Sequence, residues 1–136
     1  MVKVSYHLPP PNFEAVRARF PLANRRGVYF CFGDTVYVPW PSGRELDAGN
    51  LVHEGVHSER QGADPFGWWD RYLTDREFRL EEERLAYRAE LLFRGQPPCS
   101  RPLRRQWVKR ISHMLASPLY DLGITVARAK ELLAVD

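Results

Sequence analysis

The hydrophobic positions of this chain change their period along its length, from alternation near the start to helical spacing later. Residues 2–6 alternate apolar and polar side chains, which is typical of a short strand. Residues 28–32 and 35–38 are rich in aromatic and β-branched side chains, and only Gly33 and Asp34 separate the two runs. Two such runs joined by a two-residue Gly-Asp turn predict a β-hairpin.

Helical spacing of apolar residues covers most of the remaining chain, in segments 13–20, 48–62, 68–73, 75–94, 101–116 and 126–133. Side chains that commonly cap helices precede four of these segments: Asn12, Asp47, Thr74 and Thr125. Ser42 with Glu45 forms a competing capping box before the second segment. We therefore predict an α+β fold that is mostly helical, with an N-terminal β-hairpin packed on the helix that follows it.

The composition fits a single domain over residues 1–136. The chain is 44% hydrophobic and 12% aromatic, which is enough for a core at this length. No apolar run approaches the roughly 20 residues of a membrane span, and residues 1–11 lack the apolar segment of a signal peptide. Cys31 and Cys99 are too few for a disulfide framework, and Cys31 lies among aromatic residues, as a buried hydrophobe would. We expect a cytoplasmic protein with no membrane partner.

The net charge of +3 does not demand a nucleic-acid partner. The positive charge is uneven, however, because a cluster of cations lies late in the chain: Arg101, Arg104, Arg105, Lys109 and Arg110. We interpret this cluster as the solvated face of a helix, since a charge run alone is weak evidence for binding. Nucleic acid is therefore not an expected partner. If the cluster did bind DNA, the affinity would depend steeply on salt.

The strongest chemical signal is the HExxH pattern of residues 53–57. On a helix, His53 and His57 lie one turn apart on the same face, so both imidazoles can reach one Zn²⁺. Glu54 follows the first ligand and can take a proton from water at the open position of the metal. Leu51 and Val56 supply the apolar side that anchors such a helix. The pattern predicts a zinc site with two histidine ligands and one general base.

A catalytic zinc needs a third protein ligand. The extended pattern HExxHxxGxxH is absent, because Arg60 stands where its glycine would be. A carboxylate from a following helix is the remaining common solution, and residues 81–83 are three glutamates. A helical wheel places Glu82 on the inward face with Phe78, and Glu83 about 100° away near a second apolar side. The residues alone leave both glutamates open as the third ligand.

Together these residues resemble the zincin metallopeptidases with a glutamate third ligand, the gluzincins. The likeness is closest to small single-domain HExxH proteins encoded in bacteriophages and prophages, and it covers roughly residues 28–122. Besides 53–57, it rests on segments 32–39, 60–61, 68–73, 78–79, 83–88 and 119–120. In the family pattern a glutamate three residues before Ala-Tyr is the third ligand. The resemblance therefore implies Glu83, with Glu82 as the alternative, in a phage-encoded protein of the host cell or virion.

The resemblance implies a zinc metallopeptidase that hydrolyses a peptide or amide bond. Its zinc would be held by two histidines and Glu83, and Glu54 would be the general base. Tyr87, with Arg88 as the alternative, would stabilise the oxyanion. The edge of the predicted hairpin would pair with an extended peptide. The aromatic residues Trp68 and Trp69 are expected to pack in the core rather than to bind substrate.

The alternative function is that of a non-catalytic zinc-binding protein of phage type, with a structural or interaction role. Thermolysin-type enzymes have two lobes and a long cleft, whereas this chain has no second lobe. Its cleft is therefore expected to be shallow or to be completed by a protein partner. The expected partners are a peptide or protein substrate and that second protein.

Overall fold

A computed structural model describes residues 2–134, and within this range the chain forms six helices and a three-stranded sheet. The prediction of a mostly helical α+β fold is confirmed. A short 3₁₀ helix follows the first α-helix. The elements in chain order are β1 (Lys3–Tyr6), α1 (Phe13–Arg19), the 3₁₀ helix (Pro21–Ala23), β2 (Phe30–Phe32), β3 (Thr35–Val38), α2 (Ala48–Gln61), α3 (Pro65–Thr74), α4 (Arg76–Arg94), α5 (Arg101–Leu115) and α6 (Val126–Leu133).

The predicted hairpin is present, and it belongs to a larger sheet. Strand β2 pairs antiparallel with β3, and Phe30 lies opposite Tyr37. Gly33 in the turn has a φ of 63°, a left-handed conformation that glycine adopts without steric cost. Strand β1 adds to the other side of β3 in parallel, so the sheet order is β1-β3-β2. The hairpin thus has a third strand as support.

The predicted cap at Asp47 fixes the start of α2, the helix that carries the HExxH pattern. The Asp47 carboxylate accepts a hydrogen bond of 2.8 Å from the backbone N–H of Asn50. The Asn50 side chain accepts in return from the backbone N–H of Asp47, at 3.0 Å. Ser42 does not cap the helix, because its hydroxyl instead accepts a bond of 3.4 Å from the backbone N–H of Arg44. The competing capping box at Ser42 and Glu45 is therefore wrong.

Neither of two other predicted cap residues makes a capping hydrogen bond. Asn12 stands at the start of α1, but its side chain makes no capping hydrogen bond. Thr74 ends α3, and its hydroxyl donates to the carbonyl of Asp70 at 2.8 Å. The cap of α4 is the next residue, Asp75, whose carboxylate accepts from the backbone N–H of Phe78 at 3.0 Å. A charged carboxylate is the better acceptor at a helix N-terminus, which explains why the aspartate takes this position.

The boundaries of α3 and α6 differ in how well the sequence predicted them. Helix α3 begins at Pro65, three residues before the predicted segment 68–73, with Asp64 as its cap. Proline is tolerated in the first turn because its missing N–H would have no helical partner there. Helix α6 begins as predicted, since the Thr125 hydroxyl accepts from the backbone N–H of Arg128 at 3.0 Å.

The core consists of two hydrophobic clusters. The first joins α1, β2 and α3 and consists of Val16, Phe20, Ala23, Phe30, Trp68, Trp69 and Tyr72. The second joins α4, α5 and α6 and consists of Tyr87, Leu91, Ile111, Leu115, Leu122, Ala129 and Leu133. The predicted core packing of Trp68 and Trp69 is confirmed. Helices α2 and α4 pack against each other, and His53 and His57 of α2 meet Glu83 of α4 at their contact.

One buried arginine links α4 to two neighbouring segments. Arg79 is 1% exposed, and its guanidinium donates to the carbonyls of Tyr72 at 2.7 Å, Tyr120 at 2.8 Å and Asp121 at 3.1 Å. These bonds satisfy three backbone acceptors that the side chains around them would otherwise shield from water. Arg79 therefore fixes the end of α3 and the 120–121 loop on α4. Among the residues described, no helix is both long and apolar enough to cross a bilayer.

Candidate metal centre

The two histidines of α2 and one glutamate of α4 converge on a single point. His53 Nε2 lies 3.1 Å from Glu83 Oε1, and His57 Nε2 lies 3.3 Å from the same oxygen. The two Nε2 atoms are 3.2 Å apart. All three side chains are buried, at 4% exposure or less. The helical spacing of the HExxH pattern thus places both rings as predicted, and α4 brings a carboxylate to them.

This group of donors fits a divalent metal ion. Two imidazole nitrogens and a carboxylate oxygen are a common ligand set of catalytic zinc. Tetrahedral bonds of about 2.0–2.1 Å place ligand atoms about 3.3–3.4 Å apart, close to the separations seen here. Burial lowers the pKa of the His53 ring, but Glu83 and Glu90 outweigh this effect and raise that pKa to about 10. The cluster favours positive charge at its centre, and it could hold a metal ion.

Glu82 is buried but is not part of this group. Its carboxylate accepts a hydrogen bond of 2.7 Å from Trp68 Nε1 and pairs with the guanidinium of Arg60. The helical wheel was right that Glu82 points inward, but it points toward α3 and the end of α2 rather than toward the histidines. The neighbouring Glu83 is the carboxylate that faces both rings.

A tyrosine fixes the carboxylate of Glu83. The Tyr72 hydroxyl donates a hydrogen bond of 2.6 Å to Glu83 Oε2, which also lies 3.2 Å from His57 Nε2, whereas Oε1 lies near both rings. Burial alone would raise the pKa of the Glu83 carboxyl, but His57 and the hydrogen bonds from both histidines hold it well below its usual range. Glu83 is therefore ionised and held in one orientation. Sequence analysis could not identify this role for Tyr72, because the residue stands within an aromatic core segment.

Glu54 lies beside the group of His53, His57 and Glu83 and is not one of its three candidate ligands. It is 5% exposed and lines the same cavity as His53, His57 and Glu83. Burial raises the pKa of the Glu54 carboxyl, and the two histidines oppose this effect. The cavity has a volume of about 70 Å³, which is room for a few water molecules. Glu54 can therefore exchange a proton with a small molecule that enters the cavity.

Charged residues lie on the Nδ1 side of His53, away from Glu83, and we call them the second layer. Glu90 Oε1 lies 3.2 Å from His53 Nδ1, although the two groups are not aligned well enough to form a hydrogen bond. Glu90 Oε2 accepts from Arg94 Nε at 2.7 Å, and Arg94 reaches the cap residue Asp47 at 2.9 Å. A side chain at Gly49 would place its Cβ 2.3 Å from Arg94 Cζ. The glycine thus lets Arg94 lie against the start of α2.

Sequence analysis missed this second layer, although a signal for it exists. Glu90 follows Glu83 by two helical turns, so both carboxylates lie on the same face of α4. A second acidic residue at that spacing is the pattern that a support for a histidine ligand would produce. Carboxylates commonly orient metal-binding histidines in this way.

Tyr87 and Arg88, the residues expected to stabilise an oxyanion, do not line the cavity. The Tyr87 ring packs edge-on against His53, with centroids 4.2 Å apart. Its hydroxyl forms a hydrogen bond of 2.5 Å with the hydroxyl of Tyr120. Tyr120 and Tyr29 are lining residues of the cavity. Tyr87 therefore contacts the His53 ring without lining the cavity, and its catalytic role stays a prediction.

The hairpin packs on α2 as predicted, and this contact occupies its outer edge. The carbonyl of Cys31 accepts from Gln61 Nε2 at 2.8 Å and from Trp69 Nε1 at 2.9 Å. The backbone N–H of Gly33 donates to Gln61 Oε1 at 2.7 Å. The predicted pairing of a peptide with this edge is therefore wrong at Cys31, whose carbonyl is already bonded. The predicted burial of Cys31 is confirmed, at 2% exposure.

Comparison with protein-family models, curated proteins and solved structures finds no match to this chain. The resemblance to the gluzincins stays a prediction, and what bears on the function is the geometry of the site. Two histidines and a glutamate form a buried group that could hold a metal ion, and a second glutamate lies in the same cavity.

Proposed function

We propose that this protein is a zinc-dependent peptidase. The observation that carries the proposal is that four buried residues line one cavity, three of which form a candidate ligand group and the fourth of which remains free of it. His53, His57 and Glu83 converge within 3.3 Å of one another, whereas Glu54 lines the cavity outside this group. A purely structural zinc site usually has four protein ligands and no need for an adjacent free carboxylate.

His53, His57 and Glu83 are the residues that would hold Zn²⁺. When bound, the metal would supply Lewis-acid activation of water and of the amide carbonyl. Glu54 would take the proton from the attacking water and return it to the nitrogen of the leaving amine. Tyr72 and Glu90 would keep the carboxylate and the first imidazole in position during these transfers.

The walls of the cavity support proton transfer and charge stabilisation. Several lining residues are apolar and come from α1, β2 and α3. Charges within the cavity therefore interact more strongly than they would in water. Tyr29 and Tyr120 also line the cavity and carry hydroxyl groups. In the proposed reaction these two hydroxyls, rather than that of Tyr87, are the donors available to a carbonyl oxygen. The small volume suits the reacting groups of a substrate, and the rest of a peptide would lie outside the cavity or against a protein partner.

The test compares the full chain with two isosteric variants of helix α2. Glu54→Gln removes the proposed base, and Glu59→Gln changes an exposed glutamate of the same helix. Each protein is loaded with zinc, its metal content is measured, and hydrolysis of a mixed fluorogenic peptide library is followed. All three proteins should bind one zinc, and Glu54→Gln alone should lose activity, by about 10²–10⁴-fold.

Two outcomes would count against the proposal. Undiminished hydrolysis by the Glu54→Gln protein would exclude Glu54 as the base. Full zinc loading without hydrolysis by the unchanged chain would favour the alternative, a zinc-binding protein with a structural or interaction role.

A further inference from the structure

Helices α5 and α6 form a groove whose walls carry positive charge. The groove also has two apolar residues in its lining, Val108 and Val126. The cations that line it are all exposed, and we call them the basic face: Arg101, Arg104, Arg105, Lys109 and Lys130. The metal-centre cavity shares no lining residue with this groove, so the two sites can be tested separately.

The charges of the basic face are not compensated. The chain has no acidic residue between Glu90 and Asp121, a stretch that includes the whole of α5. Within the described range 2–134, the cations of the basic face form no salt bridge, whereas Arg84, Arg94 and Arg128 each pair with a carboxylate. A solvated helix face normally mixes the two signs of charge. The expectation of an ordinary solvated face therefore does not explain this surface, which concentrates positive potential.

The cations are arranged in a line. Arg101, Arg105 and Lys109 follow one another at a spacing of one helical turn, so they form a row of about 12 Å along α5. Lys130 of α6 lines the same groove. A row of fixed positive charges matches a polymer with regularly spaced negative charges, such as a nucleic-acid duplex. We propose that the basic face binds the phosphate backbone of a DNA duplex without reading its sequence.

Two observations favour a duplex over other anionic partners. Single-strand binding uses exposed aromatic rings on which bases stack. The aromatic residue of α5, Trp107, is instead covered by Arg94, 4.0 Å from its ring centroid, and by Arg110, at 5.1 Å. Insertion of α5 into an anionic membrane would need a free apolar face. That face is occupied, since Ile111 and Leu115 are fully buried in the core.

The test measures binding of the full chain to a labelled mixed-sequence DNA duplex of about 30 base pairs by fluorescence anisotropy. Salt is varied between about 50 and 200 mM, and a slope of about −4 in log affinity against log salt is expected for four to five phosphate contacts. The triple variant Arg101→Gln, Arg105→Gln, Lys109→Gln should bind about tenfold or more weakly at the lowest salt. Its slope should be shallower by about 3, close to one for each lysine or arginine removed.

The matched control is a second triple variant with the same loss of charge, Arg25→Gln, Arg26→Gln, Arg44→Gln. These arginines are exposed and lie outside the groove, so this variant should bind the duplex almost as the unchanged chain does. Circular dichroism and zinc content should be the same for all three proteins.

The proposal is overturned by any of four results. The unchanged chain fails to bind the duplex at the lowest salt, or both triple variants lose affinity equally, which would indicate attraction by net charge alone. The chain binds a single strand more tightly than the duplex, or it binds vesicles that contain anionic lipid more tightly than the duplex.

Discussion

Glu90 of helix α4 lies 3.2 Å from the Nδ1 atom of His53, on the side of the ring opposite to Nε2, the nitrogen that faces Glu83. This contact connects the first ligand of the candidate metal centre to a buried ion pair. The pair joins Glu90 to Arg94, which in turn reaches the cap residue of α2, Asp47. The orientation of the first histidine and the start of the helix that carries it therefore depend on the same group of charges.

Replacing Glu90 should weaken metal binding without unfolding the protein. Glu90→Gln retains the shape of the side chain but removes the charge near His53 Nδ1, and loss of such a support typically lowers metal affinity by about 10–100-fold. Zinc affinity is measured by competition with a fluorescent chelator. Glu77→Gln on the exposed side of α4 is the control and should leave the affinity unchanged. Equal affinities for both variants would show that Glu90 does not position the ligand.

Removing the hydroxyl of Tyr72 should destabilise the protein and loosen the metal centre. Tyr72→Phe leaves Glu83 Oε2 without its hydrogen bond of 2.6 Å in a buried site. A bond to a charged group of this kind contributes about 1.5–3 kcal/mol. The free energy of unfolding, measured with urea in the presence of zinc, should fall by that amount. Tyr37→Phe, whose hydroxyl makes no such bond to Glu83, should change it by less than about 0.5 kcal/mol.

Chelation of the metal should lower the melting temperature but leave the helices formed. Helix α4 contributes to the second apolar cluster, and α2 packs on α4 and is bonded to β2 through Gln61 and to α4 through Asp47, so the fold does not depend on a metal alone. Zinc at about 100 times its dissociation constant should add about 2.7 kcal/mol to the stability. Circular dichroism before and after chelation, with a thermal scan of each sample, measures both effects. Loss of the helical signal on chelation would instead indicate a structural zinc site.

Core and surface leucines of α5 should differ sharply in their effect on stability. Leu115 is fully buried, and Leu115→Ala should cost about 2–5 kcal/mol because it leaves a cavity in the second cluster. Leu103 lies on the same helix and is 43% exposed, so Leu103→Ala should change the stability by less than about 0.5 kcal/mol. Urea unfolding of both variants gives the comparison. Similar losses would mean that α5 does not pack in solution as described.

The sequence was informative wherever the structure depends on neighbours along the chain. The one-turn spacing of His53 and His57 defines a shared helix face, and the turn at Gly33 defines the hairpin. The cap of α4 was less reliable: the sequence predicts Thr74, whereas the carboxylate of the next residue, Asp75, accepts the hydrogen bond. The parallel pairing of β1 with β3 joins segments separated by the whole of α1, and no local pattern encodes it.

Local sequence patterns were also insufficient to choose between the two candidates for the third ligand. Glu82 and Glu83 both point inward, and the rotation of α4 decides which of them faces the histidines. That rotation is consistent with contacts made elsewhere, such as the bond from Trp68 to Glu82. A helical wheel contains no information about these partners, so it could not separate the two glutamates.

One side of helix α4 carries the candidate third ligand Glu83, the carboxylate of Glu90 beside His53 and the arginine that bonds to the 120–121 loop. The residues in this row are Arg79, Glu83, Tyr87, Glu90 and Arg94. A substitution affects one member of such a row, but a one-residue insertion turns every later member by about 100°. The protein should therefore tolerate changes of residue type along α4 far better than changes of its length, and a single added codon near position 81 should abolish the metal centre at once.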